Sequence, residues 1–277
     1  MKLRTYSLST LIVAVFFISS YNARAQDSDN AGHFPDWFHL VDVTQAAQPH
    51  WITPLFTVTP RLEEEFRSDI TWTPAAGGNN LNYGGGKGVE LIPSKATEII
   101  LGLPPYQVPV SGPNGFGNIP LLLKYRFAAG NEENGNYIVT AFLGGSMPYG
   151  QFATTYGSIT PTIAFGKGYR NFDFQSTVGW TIPTGGRQKS GTAVAYNTAF
   201  QYRVLRKLWP EVEANATFWP NGKLGGDKQV FLSPGLLVGR FHLWRRIGLS
   251  IGAGEQIAVT HYHQYNHAPT FSVRFPF

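Results

Sequence analysis

Arg61, Glu63, Glu65, Arg67 and Asp69 occupy every second position of one stretch, so an extended backbone would carry five charges of both signs on a single face. The pattern recurs downstream. Glu98, Lys124, Arg126, Asp173, Arg203, Glu211, Glu213, Arg246 and Arg274 each fall on the polar side of a segment that alternates polar and apolar residues. Charges gathered on one face can line a water path and sort permeants by sign. They can also pair with one another and fill the space they face. Both readings stand at this point: a selectivity lining, or a structural network that plugs what it surrounds.

Other chemistry is poorly supported. His261-Tyr262-His263, with His267 nearby, puts two imidazoles on one face of a strand at a spacing that could ligate zinc or copper. The loop offers no carboxylate beside them, so no metal and no cofactor are assigned. Gly84-Gly85-Gly86-Lys87-Gly88 superficially resembles a phosphate cradle, but a P-loop needs Gly-Lys-Ser/Thr between a strand and a helix, and here Val89 follows Gly88 in a strand pattern. A thin strand that lets a neighbouring backbone approach accounts for it better. There is no Cys, which excludes disulfides, thiolate metal sites and a Cys nucleophile. An outer-membrane lipid hydrolase would need a Ser and a His on adjacent strands; no Gly-x-Ser-x-Gly elbow occurs and Ser176 has no evident His neighbour. The expectation is a protein that is not an enzyme.

The elements that would position these charges are strands. Between Phe172 and Ile182, Phe172, Phe174, Val178, Trp180 and Ile182 alternate with Asp173, Gln175, Thr177 and Thr181. The period continues through Val194–Arg203 and Glu211–Phe218. Counting such segments gives strands near 60–72, 81–91, 96–104, 117–128, 137–146, 158–167, 171–183, 191–204, 209–219, 229–240, 247–258 and 269–277, an even number. Each is long enough, at roughly 3.3 Å per residue and a tilt near 40°, to cross an apolar layer of about 25 Å. The connections alternate too, tight turns such as Leu205-Arg206-Lys207 with longer stretches rich in Gly, Pro and Asn such as 104–116 and 147–157. That asymmetry is what short periplasmic turns and longer outer loops produce. The fold class expected is all-β: a transmembrane antiparallel β-barrel of twelve strands with both termini periplasmic.

The ends of the chain agree. Residues 1–25 run from Lys2 and Arg4 through an apolar stretch to Ala23-Arg24-Ala25, the layout of a signal peptide cleaved before Gln26. Removing Lys2, Arg4 and Arg24 from the 22 basic residues leaves 19 against 17 acidic ones, so the basic balance does not point to nucleic acid. Only 14% of residues are charged, against roughly 25% in soluble domains. At the other end Phe271, Val273, Phe275 and Phe277 alternate with polar residues and resemble the strand that bacterial barrel-assembly machinery reads, with Pro276 as a departure. Residues 26–56 show no alternation and are expected to be a periplasmic or lumen-entering segment ahead of a barrel over 57–277.

Two stretches resemble outer-membrane proteins of the meta-pathway phenol-degradation family. One is His50-Trp51-Ile52-Thr53-Pro54-Leu55 with Thr57-Val58-Thr59-Pro60-Arg61-Leu62-Glu63; the other runs Gly115-Phe116-Gly117-Asn118-Ile119-Pro120 through Leu121-Leu122-Leu123-Lys124-Tyr125-Arg126-Phe127, with Asn118 where an Asp is common. The resemblance implies an outer-membrane channel for passive uptake of small, often aromatic, molecules. Its partners would be outer-membrane lipids, the barrel-assembly machinery and the permeant. The alternative is a plugged structural or adhesion barrel without transport.

Overall fold

The computed structural model describes residues 33–84 and 88–277. The expected leader, and Gly85, Gly86 and Lys87 of the glycine-rich stretch, lie outside the described residues. The chain enters as helix α1 (His33–Ala46) and continues as β1 (Glu65–Ala75), β2 (Gly78–Tyr83), β3 (Gly88–Ser94), β4 (Thr97–Leu101), β5 (Tyr106–Val108), β6 (Gly115–Phe116), β7 (Ile119–Gly130) and β8 (Tyr137–Met147). It goes on through β9 (Ser158–Tyr169), β10 (Phe172–Pro183), a single helical turn α2 (Arg187–Ser190), β11 (Ala193–Tyr202), β12 (Leu208–Phe218), β13 (Lys228–Trp244), β14 (Ile247–Ala258) and β15 (His267–Pro276).

These strands make twelve staves of one antiparallel barrel. β2 with β3, β4 with β5, and β6 with β7 each share a stave, so the second, third and fourth staves are broken lengthwise. The remaining nine are continuous. The sheet closes where β15 pairs with β1, Phe66 opposite Phe275 and Arg67 opposite Arg274. Closure leaves no free edge, which a membrane-spanning sheet requires. The fold is therefore the expected transmembrane β-barrel.

The period-2 rule sets the faces. In β10, Val178 and Trp180 are 44% and 46% exposed while Gln175 and Thr177 are 0% and 4%. Exposed aromatics gather near both ends of the staves: Tyr125, Phe127, Tyr169 and Tyr202 toward the tight turns, Tyr106, Phe116, Trp180 and Phe218 toward the long loops. Two such girdles around an aliphatic band mark the two interfaces of a bilayer. The tight turns include Leu205-Arg206-Lys207, a three-residue loop closed by the Val204–Leu208 bridge, in which Leu205 and Arg206 take positive φ (48° and 63°).

Two features depart from the expectation. β1 begins at Glu65 instead of near 60, so Arg61 and Glu63 lie on the incoming chain instead of on a stave. The 26–56 region contains α1, whose Trp37, Val41 and Thr44 fall on one helical face; Val41 and Thr44 are fully buried, and Val41 packs with Leu62, Ile92 and Trp37. Pro35 in its first turn forgoes a donor that a helix start leaves unused anyway.

Candidate functional site

Inside the barrel runs the chain's own segment 47–64. From Trp51 to Glu65 only Phe56 and Val58 escape full burial, on both sides of the backbone alike. An extended segment surrounded on every side has no exposed face, and so no alternation in its sequence. Pro49, Pro54 and Pro60 keep it from joining a ladder.

Side chains of the staves replace the missing ladder. Glu213 accepts from the backbone N–H groups of Phe56 (2.8 Å) and Thr57 (2.5 Å), and Glu211 from that of Leu55 (3.1 Å). Arg274 donates to the carbonyls of Thr53 and Pro54, and Arg67 to those of Pro54 and Leu55 while also binding Asp69 at 2.7 Å. Gln175 donates to Ile52 O and accepts from the Thr59 hydroxyl; Thr140 donates to Pro60 O. Lys124 reaches both Arg61 O (3.0 Å) and Glu98 (2.9 Å), and Glu98 in turn accepts from the Glu63 N–H. Arg61 pairs with Glu63 at 2.7 Å and donates to Trp51 O. Every one of these groups is buried, and hydrogen bonding to charged partners is what makes their burial tolerable.

Glycines on the inner wall give the segment room. A Cβ at Gly252 or Gly254 would stand 2.6–2.7 Å from Leu55, and one at Gly166 would stand 2.6 Å from the Trp51 ring. Leu55 thus sits in a socket with Ile52, Trp209 and Leu237. The segment is a plug fitted to its barrel.

At the periplasmic mouth the bonds are more exposed. Arg126 donates to Thr44 O, Gln48 and Lys95 O, so it ties the end of α1 to the rim. Arg246, in the turn after β13, binds Asp42 of α1 through both carboxylate oxygens, and Glu132 of the β7–β8 turn accepts from the His50 N–H and ring, each at 2.7 Å. Burial pushes the Glu132 carboxyl up, but the bonds from His50 outweigh it and hold it below its ordinary range. Arg203 stacks on Trp209 and approaches Asn171 at the same end.

Above the plug a cavity of about 700 Å³ faces the extracellular side. Leu55, Phe56 and Val58 form its floor; its walls carry Thr71, Thr73, Asn82, Asn197, Asn215, Thr217, Gln229 and Gln256. Of the charged residues singled out from the sequence, Arg67 and Asp69 reach this cavity, and they are paired with each other. Glu98, Lys124, Glu211, Glu213 and Arg274 are engaged with the plug; Asp173 is buried beneath it and accepts from Gln175. Glu65 begins β1 on the same inward face as Arg67. The seam brings Arg274 level with Arg67. The neutral cavity walls were visible in the alternation, Asn197, Asn215 and Thr217 standing on inward positions, but a search for charge passes over them.

The histidines of the last loop are held locally: the His263 ring contacts Thr260 O at 2.9 Å and Asn266 at 2.7 Å, and His267 contacts Glu255 at 2.8 Å. On β15, Thr270, Ser272 and Arg274 are buried while Phe271, Val273 and Phe275 turn outward, the facing that the terminal alternation requires.

No family model matches the chain, and no curated protein matches it in sequence. Among solved structures, the crystal structure of the COG4313 outer membrane channel from Pseudomonas putida F1 superposes with a TM-score of 0.54 over 81% of this chain and 98% of that one, at 12% identity. At that identity the likeness is one of fold, and it is to the barrel of an outer-membrane channel; a link to phenol degradation is no part of it.

Proposed function

We propose that the protein resides in the bacterial outer membrane as a non-enzymatic channel for passive uptake of small molecules, apolar or aromatic ones among them, and that its own segment 47–64 is the gate. The observation that carries this reading is the manner in which the plug is held. It joins no β-ladder, and its bonds run to backbone from side chains on staves all round the wall, beneath a cavity of about 700 Å³ whose floor it forms. A structural filler would be served as well by side chains alone, as in small closed barrels. The inward charges then act as a latch more than as a selectivity lining, and the neutral amides and hydroxyls of the cavity meet the permeant first.

The experiment is conductance in planar bilayers. Reconstituted wild-type protein should conduct in brief openings, and Gly252→Leu, which takes the space of Leu55, should raise the open fraction strongly. A protein that inserts, as shown by a gel mobility that changes on boiling, yet conducts in neither form would establish the plugged structural barrel instead.

A further inference from the structure

The third and fourth staves turn over together partway up the wall. Gly102 and Pro120 face the cavity, whereas Tyr106 and Phe116, also at even positions, are 36% and 43% exposed on the outside. The pairing between the staves holds one register throughout: Leu101 opposite Leu121, Gly102 N–H to Pro120 O, Gly117 N–H to Pro105 O, Tyr106 opposite Phe116. Between those two bonds lie Leu103 and Pro104 against Asn118 and Ile119. Pro104, Pro105 and Pro120 have no N–H to give, so the ladder is thinnest where both strands rotate.

A pocket of about 350 Å³ occupies this place, lined by Leu103, Pro105 and Gln107 from one stave, Gly117 and Asn118 from the other, and Phe152 from the loop above. It shares Pro120 and Ser146 with the large cavity, so the two adjoin. Leu103 is also 46% exposed on the outer face, so one residue touches both the pocket and the lipid side. The Asn118 amide is spent on Ser146 and Thr154, each at 2.8 Å, so that apart from Gln107 and Ser146 the rest of the lining is glycine, proline, leucine and aromatic carbon.

Resting on the channel reading, we infer that this pocket is a lateral passage by which neutral, apolar small molecules leave the extracellular cavity for the membrane between the third and fourth staves, without displacing the plug. An apolar solute entering the cavity meets a floor of Leu55, Phe56 and Val58 whose backbone is held by buried charged side chains, and carbon-lined space at its side. Moving sideways lets it stay out of water and break none of the bonds that hold the plug.

The test uses cells carrying the full chain in the outer membrane and N-phenylnaphthylamine, a neutral arylamine that fluoresces on entering lipid. The chain has no Cys, so Leu103→Cys with Ile119→Cys, opposite each other in the continuing register, gives a single disulfide that staples the two staves. Dye entry should be fast with wild-type protein, fall to the rate of cells lacking the protein when the staple is oxidised, and recover on reduction. Gly117→Phe, whose ring would enter the pocket beside Pro105, should abolish entry without any redox step. Dye entry unchanged by both the staple and Gly117→Phe overturns the lateral passage, as does a wild-type protein that admits no dye. The plug-releasing Gly252→Leu conductance is independent of this wall: if it persists, the channel reading survives that failure, and if it is absent, the channel reading itself has failed.

Discussion

The two halves of the barrel interior are built on opposite plans. The periplasmic half is filled, and its filling is charged: Lys124 and Glu98 are wholly buried and paired, and Glu213 and Arg274 bind plug backbone. The extracellular half is open and nearly neutral, with amides and hydroxyls on its walls and one self-paired Arg67–Asp69 couple at its base. Charge in this protein therefore goes where water has been excluded by the chain, and neutrality where water and permeant enter. The reason is energetic. A stretch of proline-broken backbone needs donors and acceptors that reach across a lumen, and long charged side chains supply the strongest such bonds.

The widest gap between the halves should appear in stability. Lys124→Met leaves Glu98 buried without its cation, a change of the kind that costs about 3–5 kcal/mol. Asn215→Ser on the cavity wall should stay within about 1 kcal/mol, since water can replace the lost amide there. Urea unfolding in lipid vesicles, followed by tryptophan fluorescence, measures both. Equal losses would mean that the filled and open halves do not differ as drawn.

How much of this was legible beforehand follows the same division. The twelve staves, their facing and the closing strand could be read because each stave has one wet or packed face and one lipid face, and Val178, Trp180 and Phe271 carry that signature directly. The plug could not. Trp51 and Leu55 are buried on all sides, so no periodicity separates them from loop, and what fixes their position is a set of glycines and a carboxylate more than a hundred residues away. Glu98, Lys124, Glu211, Glu213 and Arg274 face inward, whereas Arg61 and Glu63 lie on the plug and Arg203 and Arg246 in turns at the rim; spacing along a strand cannot tell a side chain facing water from one facing another piece of chain. Helix α1 was missed because its buried face is narrow, essentially Trp37, Val41 and Thr44.

A smaller effect tests the neutrality of the open half. Asn197→Asp with Asn215→Asp places two carboxylates on the cavity wall, where the pair already touches at 3.2 Å through their amides. At about 4 Å in water a unit charge acts on an ion with roughly 1 kcal/mol, so the cation-to-anion permeability ratio, measured from reversal potentials in a salt gradient, should rise several-fold in a conducting background such as Gly252→Leu. Unfolding should barely change. The corresponding change in the filled half, Glu213→Gln, should leave selectivity nearly alone and loosen the plug instead, because Glu213 is occupied by the N–H groups of Phe56 and Thr57. A selectivity change from Glu213→Gln as large as that from the paired Asn variants would erase the distinction.

The smallest effect lies at the foot of the plug, where the filled half meets the periplasm. Asp42 of α1 is held below its ordinary carboxyl value of 3.8, chiefly by its hydrogen bonds from Arg246, with burial opposing. A carboxyl whose folded value is depressed contributes stability that is present in full above the unfolded value and is lost as pH falls through the folded one. The share of α1's docking that the Asp42–Arg246 pair supplies should therefore be insensitive to pH near neutrality and weaken only below about pH 4. Both partners are more than a third exposed, so the contribution is that of a surface pair, about 0.2–1 kcal/mol, and it should shrink in high salt. Arg246 also lies over the Phe38 ring, so Arg246→Gln removes that stacking as well, while Asp42→Asn removes the charge alone. Protease nicking of α1 in outward-leaking vesicles should rise slightly for Asp42→Asn at pH 7 and no further on acidification, whereas wild-type nicking should rise to meet it only in acid. Wild-type protein that loosens between pH 7 and 5 would mean that another group controls the helix.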